Sequence, residues 1–245
     1  MDKPTKPLGI KNYGSIPHIP GSRVGPGDHH CTPGQLRIVT EKTRDKHDLI
    51  ICTEKLDGSN VGIALTPDNK LVTLGRAGYA CETSEYLQHQ VFDRWVQQQA
   101  DRFLTILHPG WRIVGEWLMQ AHGTKYELHH EPFVVFDMFN KSNERIVYED
   151  LVDRARAASL AMPMVLHHDR APVSLSAALL RLGDYGHHGA RDLAEGVVWR
   201  VERSGKVDFL CKYVRPDKID GKYFPQVSGE PEQYNITASA LLYGK

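Results

Sequence analysis

The sequence predicts a mixed α+β domain with mainly antiparallel sheets flanked by helices. Three observations carry that expectation. Short runs rich in Val, Ile and aromatic residues recur between turn residues, as in DLIICTEK, VGIALT, LVTLGR, WRIVGEWL, FVVFDMF, GVVWRVE and VDFLCKYV. Helix-period stretches are scattered among them, without the regular strand–helix alternation that builds a parallel sheet. The 41% apolar content of a 245-residue chain is enough for a substantial core.

Taken in order, the lead-in up to about residue 48 is rich in Gly, Pro and polar groups and reads as extended and turn-filled. DLIICTEK and VGIALT follow as strands around a glycine turn, and Pro67-Asp68-Asn69 turns the chain into LVTLGR. Residues Ser84 to Leu107 read as one helix, with Leu87, Val91 and Trp95 at i, i+4 spacing and Phe92, Val96 and Phe103 widening the apolar face. WRIVGEWL and FVVFDMF are further strands, with Trp117 and Trp199 assigned to the core. YEDLVDRARAASL and SLSAALLRL read as helices, the second capped by Ser174. Two strands joined by RSGK close the pattern, and the tail GKYFPQVSGEPEQYNITASALLYGK, from Gly221 on, reads as strand or loop cover.

No apolar run approaches the ~20 residues that span a bilayer, and the first residues lack the apolar core of a secretory signal. Cys31, Cys52, Cys81 and Cys211 form no C-x-x-C pair, which favours free thiols and a cytoplasmic setting. The histidine doublets point their rings in different directions, so they are not chelating pairs. Thirty basic and thirty acidic residues balance, which excludes a strongly basic chain but not a local basic patch.

Polar residues at the strand ends carry the chemistry. Lys55 and Asp57 follow the first strand and Arg76 ends the third. Glu116 and Asp137 lie inside apolar strands, Glu195 opens EGVVWRV, and Lys212 lies within FLCKYV. Singly, each is explained by an ion pair at a sheet edge. Together they supply a nucleophile, carboxylates for a divalent cation and positive charge for phosphates, which suits nucleotidyl transfer. A lysine that attacks the α-phosphate must be deprotonated, so its pKa must be lowered by nearby cations or by burial.

The stretch EKLDGSN resembles the K-x-D-G motif of ATP-dependent ligases and capping enzymes. LGR, GEW, FVVFD, EGVV and CKYV follow in that family's order, over about two-thirds of the chain. The glutamate before Lys55 and Asn60 after it resemble the RNA ligase 2 and RNA-editing-ligase branch. The lead-in YGSIPHIPGSR is similar to that of bacterial and phage RNA-ligase-like proteins. The resemblance implies a single nucleotidyltransferase (ATP-grasp-like adenylation) domain over residues 1–245. It also implies ATP with Mg²⁺ or Mn²⁺, and RNA ends bearing a 5′-phosphate and a 3′-hydroxyl, in a nicked duplex or free. Lys55 would be the adenylylated nucleophile, with Asp57 and Lys212 as further catalytic groups, Lys212 on the α-phosphate. Glu54 would line the adenine pocket and Phe136 would stack on the base. Asn60 and Arg76 would contact phosphates or the nucleic-acid end. Glu116 would bind the ribose hydroxyl or assist the metal, and Glu195 would ligate or orient it.

Two departures from the family pattern stand out. The last motif of this branch carries K-x-K, and here its first position is Leu210, leaving Lys212 alone. Either Arg200, Lys206 or Arg215 supplies the missing cation, or one step is weakened. About 30 residues follow Val214, too few for a C-terminal OB-fold, which lowers the DNA ligase and capping readings and suggests a partner protein that supplies a domain. Arg215, Lys218 and Lys222 read either as a solvated face or as a phosphate track. The competing readings are a minimal DNA ligase and a nucleotide- or RNA-end-binding module that needs a partner to seal.

Overall fold

The structure, a computed structural model, describes residues 6–244. Its first helix, α1 (Pro33–Thr40), lies inside the segment expected to be extended. The Thr32 side chain accepts the Gln35 N–H at 3.2 Å and the Gln35 side chain accepts the Thr32 N–H at 2.9 Å. With Pro33 in the first turn, this is a complete capping box, which the Pro- and Gly-rich composition hides. Residues 12–31 do run without a helix.

β1 (Asp48–Lys55), β2 (Ser59–Leu65) and β3 (Leu71–Gly75) follow as expected. A 3₁₀ turn (Cys81–Thr83) precedes the predicted long helix, which is broken into α2 (Leu87–Gln97) and α3 (Ala100–Leu104). The break falls at Gln99, whose φ of −132° and ψ of 35° leave the helical region. Arg102 stabilises the new direction by donating to the carbonyls of Ala158 and Ser159.

β4 (Arg112–Trp117), β5 (Phe133–Phe139) and α4 (Tyr148–Ala157) come next. β6 (Val165–Asp169) was not expected, because His167 and His168 obscure its alternation. α5 (Leu175–Leu182) is capped by Ser174, whose hydroxyl accepts the Ala177 N–H. β7 (Gly196–Arg203) and β8 (Lys206–Val214) form a hairpin through Ser204 and Gly205, both at positive φ. The tail is helical in α6 (Pro225–Ser228) and α7 (Ala238–Tyr243), which corrects the expectation of strand or loop.

Two four-stranded antiparallel sheets result, ordered β6-β1-β7-β8 and β3-β2-β4-β5. On the first, Ile50, Cys52, Val197 and Trp199 pack with α1 and α5 residues such as Val39 and Leu182. On the second, Ile63, Trp117 and Phe133 pack with Phe92 and Trp95 of α2. Trp117 and Trp199 are fully buried, as expected. Ile51 faces away from Ile50 and Cys52 and joins the second sheet's core. Strand alternation therefore puts Ile51, Thr53 and Lys55 on the face that looks toward the second sheet. No helix among the described residues is long and apolar enough to cross a membrane.

Candidate active site

A cavity of about 510 Å³ lies between the sheets, lined by Thr53, Lys55, Glu195 and Lys212 from one side and Asn60, Arg76, Glu116 and Phe136 from the other. The volume is in the range of small-ligand sites. Lys55 ends β1 opposite Gly196 of β7, so Glu195, one residue earlier, arrives beside it. Its ammonium is 2.6 Å from Glu195 Oε2. Burial works to lower the Lys55 pKa, but Glu195, Glu116 and Asp57 outweigh it and hold the amine above its usual range. Nucleophilic attack requires a lowered pKa, and the neighbouring carboxylates give the opposite sign.

Glu116 reaches the same place from β4, opposite Asn60 of β2, and its Oε1 accepts the Gly58 N–H at 3.1 Å. Gly58 has to be glycine, since a Cβ there would lie 2.6 Å from the Trp117 carbonyl oxygen. Burial pushes the Glu116 carboxyl up to about 8, and the Glu195 and Asp57 carboxylates add to it against the pull of Lys55. Burial likewise raises Glu195. Surplus carboxylate charge around one lysine fits a hard divalent cation, which takes oxygen ligands and keeps several waters. Among the described residues no group of three or more His, Cys, Asp or Glu side chains is arranged to hold a metal alone. Glu195 and Glu116 would therefore share a cation with water or phosphate oxygens.

Asp57 is turned to the side of the site. Its Oδ2 accepts the Gly123 N–H at 2.9 Å and pairs with the buried Lys218 ammonium at 3.0 Å, while its own N–H donates to the Tyr126 hydroxyl. Lys212 projects from β8, its pKa lowered by burial and then by Lys55. Among the described residues no carboxylate pairs with its ammonium, although Asp28 and Glu195 act on it through space. Arg76 is exposed at the mouth, with Nη2 3.4 Å from Ser15 Oγ. Asn60 Oδ1 is buried without a hydrogen-bond partner. Phe136 lies edge-on to Tyr13, with centroids 5.2 Å apart.

Glu54 borders the cavity, but alternation sends its carboxylate to the other side of β1, where both oxygens accept the His187 N–H. Burial pushes it up to about 7. Asp137 is fully buried between Arg145 at 2.6 Å and Arg200 at 3.1 Å, so it is a structural counter-ion and not a cation ligand. Arg200 sits opposite Leu210 on β7, but its donors go to Asp137, Glu202 and the Ile146 carbonyl. Lys206 lies at the far end of the β7–β8 hairpin and Arg215 donates to the Gly183 carbonyl. Arg200 thus lines the cavity with its donors already engaged, and Lys206 and Arg215 do not line it. Lys222 pairs with Asp192. Lys218, read either as a solvated face or as a phosphate track, is a buried partner of Asp57. Sequence reasoning also gave no role to His18, Asp28 and Tyr13, which line the cavity from the lead-in.

The RNA ligase family model matches residues 48–214, which covers both sheets and every strand that supplies the cavity. The chain belongs to the RNA ligase family. Among solved structures it is similar to an archaeal ATP-dependent RNA ligase, with a TM-score of 0.53 and 21% identity over 82% of this chain and 48% of that one. A Naegleria gruberi RNA ligase mutant in its apo form gives a TM-score of 0.54 and 15% identity, over 88% of this chain and 61% of that one. The same protein with PPi gives 0.52 and 16%, over 81% and 58%. At these identities the likeness is one of fold. The chain spans about half the length of the archaeal structure. No curated protein matches it. This family member thus carries the expected α+β architecture, and both its lead-in and the segment after Val214 lie outside the matched stretch.

Proposed function

We propose that this RNA ligase family member is an ATP-dependent RNA ligase that works through a lysyl-AMP intermediate on Lys55. The observation that carries the reading is a lysine amine inside a nucleotide-sized cavity, 2.6 Å from the Glu195 carboxylate and in the field of Glu116 and Asp57. Solved structures of the N. gruberi RNA ligase with ATP and Mn, and with AMP and Mn, support the choice of co-substrates.

In the first step the Lys55 amine attacks the α-phosphorus, a P–N bond forms and the bond to pyrophosphate breaks. The amine must first lose a proton, and Glu195 Oε2, 2.6 Å away, would accept it. Glu195 and Glu116 are the side chains that would hold Mg²⁺ or Mn²⁺; when bound, the ion neutralises phosphate charge. Phe136 stacks on the adenine, and Glu54 borders the base through its backbone. Lys212 contacts the α-phosphate, while Asn60 and Arg76 meet the other phosphates or the RNA end. AMP then passes to a 5′-phosphate, and a 3′-hydroxyl displaces it to seal the strand.

The test is incubation with ATP and Mg²⁺, intact mass measurement, and then sealing of matched RNA and DNA substrates, nicked and single-stranded. Gain of one AMP and preferential RNA sealing support the reading. Preferential DNA sealing would make this a minimal DNA ligase. Absence of any AMP adduct would leave a binding module.

A further inference from the structure

The lead-in crosses the mouth of the cavity from one sheet to the other. On the second sheet, Arg112 Nε donates to the Asn12 carbonyl and the Tyr13 N–H donates to the Arg76 carbonyl. On the first, the Lys212 N–H donates to the Pro17 carbonyl and the Ile19 N–H donates to the Lys212 carbonyl, each at 2.9 Å. His18 is thereby paired in parallel with Lys212. Paired residues of neighbouring strands put their side chains on one face, so both point into the cavity that both line.

His18 is only 1% exposed, and both edges of its ring meet polar atoms of the lead-in. Nδ1 is 2.6 Å from Ser22 Oγ and Nε2 is 3.1 Å from Asp28 Oδ2. Ser22 Oγ accepts the Val214 N–H at 2.9 Å and lies 3.4 Å from the Arg23 carbonyl, so it ties the ring to the end of β8. Burial, and then the Lys212 ammonium, pull the imidazole below its usual range and keep it neutral. Asp28 Oδ2 also accepts the Gly25 N–H at 2.9 Å, so one backbone donor and the imidazole edge flank its carboxylate. Asp28 is close enough to act on Lys212 through space, yet no ion pair joins them.

We propose that His18 is a positioning residue for the phosphate side of the site: it holds Asp28 away from Lys212 and so keeps that ammonium open for the nucleotide's phosphate. The proposal rests on the ligase reading above and extends the site into a segment that the family match leaves out. Without the imidazole, Asp28 swings onto Lys212 and occupies it as a phosphate would. Loss of both side chains leaves Lys212 open again.

Two measurements test this. The first is the rate of AMP-adduct formation in the wild type, His18→Ala and the His18→Ala/Asp28→Ala pair. The single variant slows by about tenfold, the scale of one misdirected charged hydrogen bond. The pair recovers to within about threefold of wild type, a coupling that independent sites would not show. His18→Gln, whose amide can still donate to Asp28, keeps a rate above that of His18→Ala and covers the case in which alanine unfolds the lead-in. The second measurement is calorimetric binding of ATP and of adenosine in a Lys55→Ala background, where no chemistry occurs. His18→Ala weakens ATP, leaves adenosine unchanged, and is rescued by Asp28→Ala. A pair as impaired as the single variant, or equal losses for ATP and adenosine, would overturn the proposal. A wild type that forms no adduct would remove the ligase reading, while the binding comparison still decides the His18–Asp28 coupling.

Discussion

Replacing Glu116 by Gln should stabilise the protein at alkaline pH while abolishing its chemistry. Gln keeps an oxygen for the Gly58 N–H, now 3.1 Å from Glu116 Oε1, and removes a charge that burial disfavours. The sign follows from the raised pKa. Below about pH 4.5 the carboxyl is protonated in both folded and unfolded chains, and its neutral form is accommodated. Above that, the unfolded chain ionises and the folded one does not, so stability falls until the folded group ionises near 8. Between 4.5 and about 8, at about 1.4 kcal/mol per unit, the ceiling is about 5 kcal/mol. Water entry and the Lys55 charge reduce it, and a gain of about 2–3 kcal/mol at pH 8 is the expected value. The assay is urea unfolding of wild type and Glu116→Gln with a chelator present, from pH 4 to 8.5. The difference should be near zero at pH 4 and grow with pH, and a divalent cation should shrink it by stabilising the wild type. A variant destabilised equally at all pH values would refute the reasoning and make Glu116 an ordinary structural hydrogen-bond partner.

The other carboxylates and the base pocket give further expectations. Lys218→Met should lower stability by about 1–3 kcal/mol by leaving the half-buried Asp57 carboxylate without its cation, and Lys218→Met/Asp57→Asn should recover part of that loss in the same unfolding assay. Phe136→Ala should raise the KM for ATP in adduct formation by about tenfold, the lower part of the range for a lost base stack, while Phe136→Tyr should not. Glu195→Gln should slow adduct formation with little change in the thermal midpoint, because the amide still accepts from Lys55.

The sheets and most of the cavity were legible because strand ends show in the sequence. Lys55, Glu116, Glu195 and Lys212 each interrupt an apolar run, and such interruptions need a reason that burial alone does not give. What alternation decides is less visible. Glu54 is adjacent to Lys55 and still sends its carboxylate to the opposite face of β1, and Asp137 ends among arginines. Long-range partners are not legible at all. Lys218 looks like a surface lysine until the chain folds it under Asp57, and His18 looks like a turn residue until the lead-in pairs with β8. Helix α1 was hidden by a composition that also suits loops, and its Thr32–Gln35 box was the signal that outweighed it.

The central claim is that Lys55 is the nucleophile. It is tested most directly by incubating the protein with ATP and Mg²⁺, digesting it, and locating the AMP-bearing peptide by mass spectrometry. The account predicts one AMP in an acid-labile P–N linkage on Lys55, absent from Lys55→Ala and Lys55→Arg. AMP carried by any other residue, or an adduct that persists in either variant, would contradict it.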